Sequence, residues 1–273
     1  MSELARLPGW LWWLLAIGIM VLVGLIVVFA FWPRSSAPMI DSSEGLRIHP
    51  LYLGPSNAYL IETEQGLILV DAGLPGYSDA ILRKLRQLGR DDLRLIYITH
   101  AHVDHYGSAA AIQRATGAPI AVHEADVENM ETGATELGTV RDWEWLSRTL
   151  LPWVQPALKV EPTAPDVVLR EGDRLDKYGL AATVVHTPGH TPGSTTLITD
   201  GGVAVVGDLI SGAGGPHAQR SYADDWVELA ESLQRVQQQA PDVVFAGHGR
   251  TSIYGAAFAA LSPYLPGEVT PEP

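Results

Sequence analysis

Apolar and polar positions follow two different regimes along this chain. Near the start, Trp10 to Trp32 reads WLWWLLAIGIMVLVGLIVVFAFW, an apolar run broken only by Gly18 and Gly24. It lies within a stretch, Leu7 to Pro33, that holds no charged residue. A helix of this length, rising about 1.5 Å per residue, spans roughly 35 Å and crosses a hydrocarbon core of about 30 Å with some tilt. Trp10, Trp12 and Trp13 at one end and Phe31 and Trp32 at the other suit the two membrane interfaces. The run is longer than the apolar core of a cleaved signal, and Trp-Pro-Arg follows it in place of a small-x-small site. Residues 1–32 are therefore predicted to be a single-pass membrane anchor that meets the lipid bilayer through residues 10–32. Arg6 and Arg34 flank it almost evenly, and we read the soluble domain as extracytoplasmic. Residues 33–45, PRSSAPMIDSSEG, have the composition of a linker.

Beyond the linker the apolar runs become short and alternate with helical spacing. Leu46–Leu53, Ala58–Glu62, Leu67–Val70, Leu93–Thr99 and Pro119–Val122 read as strands, with helices over Ser78–Leu88 and Ser108–Ala115. After an irregular middle, Ala181–Val185, Ser194–Thr199, Val203–Val206 and Val243–Ala246 are predicted strands. Asp224–Gln239 is a predicted helix with an acidic first turn, and Thr251–Ala260 the last helix. Two groups of strands, each followed by helices, predict an α/β sandwich in two similar halves over residues 46–262, with 263–273 as a tail.

The chemistry sits where these strands end. Leu67–Val70 opens into Asp71-Ala-Gly73 and Leu93–Thr99 into His100. Ala181–Val185 leads to His190, Val203–Val206 to Asp208, and Val243–Ala246 to His248. Loops at strand ends can converge on one rim while the strands hold them rigid. The densest motif is Thr99-His-Ala-His-Val-Asp-His-Tyr-Gly107, with His100, His102, Asp104 and His105. Imidazole and carboxylate suit a borderline divalent ion such as zinc. In an extended loop His100 and His102 face the same side, and His190 completes a three-histidine site with them. Asp104, His105 and His248 form a second site, Asp208 is shared, and a water or hydroxide between the ions would be the nucleophile.

At these residues the sequence resembles the metallo-β-lactamase superfamily. The motifs are DAG at Asp71–Gly73, HAHVDH at His100–His105, TPGHTPGS at Thr187–Ser194, GD at Gly207–Asp208 and GHG at Gly247–Gly249, in the family's order across roughly residues 46–260. The resemblance implies a four-layer αββα sandwich with a dinuclear site at the edge of its two sheets. It implies metal-assisted hydrolysis with two Zn2+ per chain, or Fe or Mn as in some branches. It further implies that Asp71 hydrogen-bonds behind the metal-binding loop. Asp104 then serves as ligand and as the catalytic orienter of the attacking hydroxide.

Composition removes several branches. The 273 residues include no cysteine, so disulfides, thiolate nucleophiles and the β-lactamases with a Cys ligand are excluded. The formal net charge is −13, and residues 1–40 hold only Glu3, Arg6 and Arg34, so the acidity belongs to the domain. Such a surface does not bind nucleic acid without specific sites. A second β-lactamase branch lacks the bridging aspartate that Asp208 supplies here. The tail after His248 has no room for the glutathione-binding region of glyoxalase II, and Ser211 stands where lactonases carry a tyrosine. The favoured reading is hydrolysis of an ester, thioester or lactone in a small-molecule substrate. The alternatives are β-lactamase-like or phosphodiesterase activity in the same fold, redox chemistry at iron, or a non-catalytic membrane-tethered metal-binding module. Protein partners are left open, the non-catalytic module being one that would partner another envelope protein. His217 is a candidate substrate contact; His49, His123 and His186 read as structural, and Arg220 and Tyr222 as solvated loop positions, with contact to an anionic substrate group as the alternative. Arg141–Val154 places Trp143, Leu146 and Leu150 on one helical face, as a core-packed helix or a lid over the site.

Overall fold

The computed structural model describes residues 12–13, 40–41, 45–135, 138–140, 160–249 and 252–265. The anchor at residues 10–32 lies outside these except for the exposed Trp12 and Trp13, and the Arg141–Val154 stretch lies outside them entirely. Among the described residues no helix is long and apolar enough to cross a membrane.

The first half supplies β1 (Ile40–Asp41), β2 (Arg47–Leu53), β3 (Ser56–Thr63), β4 (Gly66–Val70), β5 (Leu93–Tyr97) and β6 (Ile120–His123), then the short β7 (Thr139–Val140) and β8 (Val167–Leu169). The second half supplies β9 (Ala182–His186), β10 (Thr195–Thr199), β11 (Val203–Val205), β12 (Ile210–Ser211), β13 (His217–Ala218), β14 (Tyr222–Ala223), β15 (Val243–Phe245) and β16 (Ile253–Tyr254). The helices are α1 (Ser78–Gln87), α2 (Val103–Tyr106), α3 (Ala109–Thr116), α4 (Val127–Thr132), α5 (Trp226–Gln238) and α6 (Gly255–Ala259). One sheet has the order β1-β2-β3-β4-β5-β6-β8 and the other β16-β15-β11-β10-β9; two ribbons pair β12 with β13 and β14 with β7. β4, β5, β6 and β8 run parallel, as do β11 and β15, so within each sheet their carboxyl ends share a rim.

Period-2 alternation separates three apolar layers. On β3 and β4, Ala58, Leu60, Leu67 and Leu69 face outward, where Ile81 and Leu85 of α1 and Ile112 of α3 cover them. Their neighbours Tyr59, Ile61, Ile68 and Val70 face inward and meet Val184, Leu197, Val205 and Phe245 of the second sheet. The outer face of that sheet, with Ala204 and Val244, packs on Leu229, Leu233 and Val236 of α5 and Phe258 of α6. Helices outside, two sheets inside: this is the αββα arrangement. Asp225 caps α5, accepting from the backbone N–H of Val227 at 2.8 Å and of Glu228 at 3.0 Å.

The structure corrects the sequence reading at several points. Two residues of the predicted linker are structured, since Ile40 and Asp41 pair with Ile48 and Arg47 as an edge strand. β8 lies in the middle region read as irregular; Asp166 receives the N–H of Ile120 at 2.8 Å and brings Val167 alongside β6. The helix expected over Thr251–Ala260 is shorter, since Ile253 pairs with Val244 in the sheet and only Gly255–Ala259 is helical. A buried β-branched side chain gains more from a pleated surface than from a helical turn. Tyr264, assigned to the tail, belongs to the core: its ring meets Trp226 edge-on, with centroids 5.0 Å apart.

Candidate metal centre

Every predicted ligand lies just beyond the carboxyl end of a strand. His100 and His102 follow β5, and Asp104 and His105 sit in α2, whose first turn begins at His102 in an extended conformation. His190 follows β9, Asp208 follows β11, and His248 follows β15. Tight contacts fix each loop. Ser232 of α5 donates to the Pro188 carbonyl at 2.8 Å, and the Asp225 N–H to the Gly189 carbonyl at 2.9 Å. Gly189 has φ +120°, and a Cβ there would stand 2.5 Å from Leu229 Cα, so only glycine lets the His190 loop lie this close to α5.

The side chains converge. His102 Nδ1 is 3.1 Å from His100 Nε2 and 3.0 Å from His190 Nε2. Asp208 Oδ2 is 3.4 Å from His190 Nε2 and 2.9 Å from His248 Nε2, while its Oδ1 is 3.4 Å from His105 Nε2. Asp104 Oδ2 lies 3.8 Å from His105 Nε2 and 3.6 Å from His248 Nε2. Three sets could each hold an ion: His100–His102–His190, His100–His105–Asp208 and Asp104–His105–His248. All seven predicted ligands thus come together, with Asp208 between the two triads. Behind them, Nδ1 of His105 donates to Asp71 Oδ2 at 2.8 Å, Nδ1 of His248 to the Pro55 carbonyl at 2.7 Å, and Nδ1 of His190 to the Tyr222 carbonyl at 3.2 Å. These bonds turn the Nε2 lone pairs inward.

The donors fit a cation. Zinc–nitrogen bonds of about 2.0–2.1 Å in tetrahedral geometry place neighbouring nitrogens roughly 3.3 Å apart, close to the spacing of the three-histidine set. His105 Nε2 and Asp208 Oδ1 are buried with no hydrogen-bond partner among the described residues, atoms that would be costly to leave so without a ligand. The electrostatics agree. Burial, then the neighbouring imidazoles, hold His100 well below the usual histidine range, and burial pushes His190 down to about 3, so both rings are neutral donors. At the other triad burial works against charge, yet Asp208 and Asp104 raise His248 to about 9 and hold His105 well above its ordinary value. Burial likewise opposes the Asp208 carboxylate, but His248 and His105 keep it well below the usual range. That corner draws positive charge.

His100, His102, His105, His190 and Asp208 are buried, whereas the side chains of Asp104 and His248 stay 14% and 21% exposed, so the centre opens on their side. His217, the candidate substrate contact, is seated on β13, its ring against the carbonyls of Ala218 and Ala213 at 2.8 and 3.2 Å, outside the three sets. His49 pairs with Glu62 at 2.6 Å, and His123 stacks on His186 with centroids 4.0 Å apart.

Tyr222 is not a solvated loop residue. It is half-buried, its ring 5.1 Å from that of His190 and 5.7 Å from that of His102, and its phenol bonds to no described residue. β14, of two residues only, pairs with β7 and turns it inward, a pairing no local pattern announces. Asp126 is a residue that the sequence reading missed. It follows β6 in a 3-10 turn and is fully buried. The signal was present: another strand end opening into an acid on the same rim.

The comparisons agree with this geometry. The family model "Metallo-beta-lactamase superfamily" matches residues 51–248. The uncharacterized protein YobT of Bacillus subtilis is 30% identical over 210 residues, covering 72% of this chain and 84% of that one. Human acyl-coenzyme A thioesterase MBLAC2 is 29% identical over 234 residues, covering 77% and 78%. Among solved structures, a Cronobacter sakazakii metallo-β-lactamase with a HARLDQ motif superposes with a TM-score of 0.63 at 25% identity, over 82% of each chain. TTHA1623 in a di-iron-bound form superposes at 0.58 with 29% identity, over 79% of this chain and 99% of that one. The chain therefore belongs to the metallo-β-lactamase superfamily, and is a hydrolase of that family.

Proposed function

We propose that the chain is a dinuclear metal-dependent hydrolase that cleaves an acyl bond, in an ester, thioester or lactone. The observation that carries this reading is the position of Asp208, whose two oxygens reach ring nitrogens of both ligand triads within 3.4 Å. His100, His102 and His190 would hold one cation and Asp104, His105 and His248 the other, zinc in our reading, with iron or manganese as alternatives. When bound, such a pair brings the pKa of water towards neutrality and polarises the oxygen of the bond under attack.

The chain's own residues supply the rest. Asp104, on the open side, accepts a hydrogen bond from the incoming water and orients it towards the substrate. Asp71, the Pro55 carbonyl and the Tyr222 carbonyl hold His105, His248 and His190 with their Nε2 lone pairs facing the centre. The Tyr222 phenol remains protonated, because burial and then Asp104 and Asp208 hold it well above its ordinary value. It can therefore donate to an oxygen that gains charge in the transition state. The thioester arm draws support from the human relative named an acyl-CoA thioesterase. The run Trp10–Trp32 supports attachment to a bilayer, and we read the domain as lying on the extracytoplasmic side.

The test is metal quantification together with a substrate panel: p-nitrophenyl esters, acyl-CoA thioesters, lactones, a chromogenic β-lactam and bis(p-nitrophenyl) phosphate. Two metals per chain and fastest turnover of an acyl substrate are expected, with activity lost in His102→Ala. Preferred turnover of the β-lactam or the phosphodiester overturns the substrate class. Acyl turnover that survives metal removal in His102→Ala overturns the mechanism. Alkaline extraction of membranes carrying the full chain tests the anchor, which predicts that the protein stays in the pellet.

A further inference from the structure

The three-histidine set is assembled from two halves of the chain: His100 and His102 come from the loop after β5, and His190 from the loop after β9. One carboxylate joins those loops. Asp126 Oδ2 accepts the backbone N–H of Ala101, between the two histidines, at 2.7 Å. The same oxygen accepts the Thr191 hydroxyl, next to His190, at 3.0 Å. Oδ1 accepts the backbone N–H of Gly193 at 2.8 Å. Gly193 has no room for a side chain, since a Cβ there would meet the Asp126 carboxylate and stand 2.6 Å from Asp126 Cβ. Asp126 is itself fully buried and carried on the turn after β6, so it cannot move to water. Burial raises its pKa, while the bonds from Ala101, Thr191 and Gly193 and the nearby His102 act to keep it charged.

We propose that Asp126 is a positioning residue that sets the spacing of His102 and His190, and through it the affinity of the three-histidine ion. The inference rests on the dinuclear reading above. Asp126 touches none of the three ligand nitrogens; it acts through the two loops. A carboxylate suits this place because all three of its partners are donors, and an ionised carboxyl is acceptor-only. The Asp104–His105–His248 set does not depend on it, because Asp126 makes no bond to α2 or to the β15 loop among the described residues.

Asp126→Asn is the informative change. Its oxygen can keep Ala101 and Thr191, but its amide then points N–H against the N–H of Gly193. The full chain, wild type and variant, is titrated with Zn2+ against a chelator and, separately, with Co2+ while the visible spectrum is followed. The wild type is expected to bind two ions. Asp126→Asn is expected to lose about 10–100-fold in affinity at one ion, with an altered cobalt spectrum there and an unchanged second ion. Hydrogen exchange in the metal-free protein should quicken at Gly193. Thr191→Val, which removes one of the three bonds and keeps the carboxylate, gives a smaller loss at the same ion and carries the test if Asp126→Asn does not fold. Wild-type affinity for both ions in the variants overturns the inference, as does an equal loss at both ions in step with a lower melting temperature. A wild type that binds no metal overturns the dinuclear reading itself.

Discussion

Asp71→Asn should damage metal binding without disturbing the backbone that carries it. Asp71 has φ +60°, a left-handed conformation that asparagine tolerates, so the change is confined to the side chain. In the native protein Oδ1 accepts the Thr99 N–H at 2.8 Å, and Oδ2 accepts His105 Nδ1–H at 2.8 Å and the Thr99 hydroxyl at 2.9 Å. Asparagine has one oxygen for these two sides. If the oxygen faces Thr99, the amide faces Nδ1 of His105, which must then accept and carry its proton on Nε2, the atom aimed at the cation. If the amide is turned over, its N–H opposes the N–H of Thr99, which cannot rotate away. Partners of this kind typically contribute 10–100-fold to metal affinity, or roughly 1.4–2.7 kcal/mol. Loss of a hydrogen bond to a buried charge should also cost about 2 kcal/mol of stability, roughly 4–8 °C for a domain of this size. Chelator competition reads the affinity, and 15N shifts of the imidazole rings read the tautomer. Unchanged affinity at both ions with His105 still protonated on Nδ1 would refute the argument that Asp71 fixes this ring.

Other consequences can be checked separately. Gly247→Ala places a methyl group against Asp208 Oδ1 and 2.8 Å from His105 Cε1, so metal content should fall to one ion or fewer while the far-UV spectrum is kept. Tyr222→Phe should lower kcat for an acyl substrate on the order of 100-fold with little change in KM, since it removes a donor used only as charge develops; an unchanged kcat removes the phenol from the reaction. His123 is pushed down to about 4, by burial and then by His186. Its folded pKa lies below the ordinary 6.5, so its contribution is whole above pH 6.5, falls as pH drops towards 4 and levels off below that. The shift is worth about 3 kcal/mol. Urea unfolding from pH 7 to 4.5 should show a steeper loss in the wild type than in His123→Gln, and equal slopes would contradict the burial argument.

The candidate ligands were legible because each follows an apolar strand whose alternation or β-branched content marks its end, and because five of the chain's nine histidines fall just after such strands. β3, β4 and β5 are long enough for an apolar run to show, and their bounds shift little in the structure. Ile40–Asp41, Tyr222–Ala223 and Ile253–Tyr254 are strands only because a partner lies beside them, so two residues of pattern could not announce them. The same limit hid the inward turn of Tyr222. Asp126 escaped for a different reason: an aspartate among 31 acidic residues reads as surface until burial shows three donors pointing at it.

Neither half of the chain owns a complete coordination set, since His190 and His248 belong to one and His100, His102 and His105 to the other. An ion seated there is a cross-link across the sandwich, and its binding energy is added to the resistance of the whole domain to unfolding. At free metal a hundredfold above its dissociation constant that addition is about 2.7 kcal/mol for each independent ion. Durability thus becomes a function of metal supply: a protease or denaturant should find the same polypeptide tougher in a zinc-replete compartment than in a starved one.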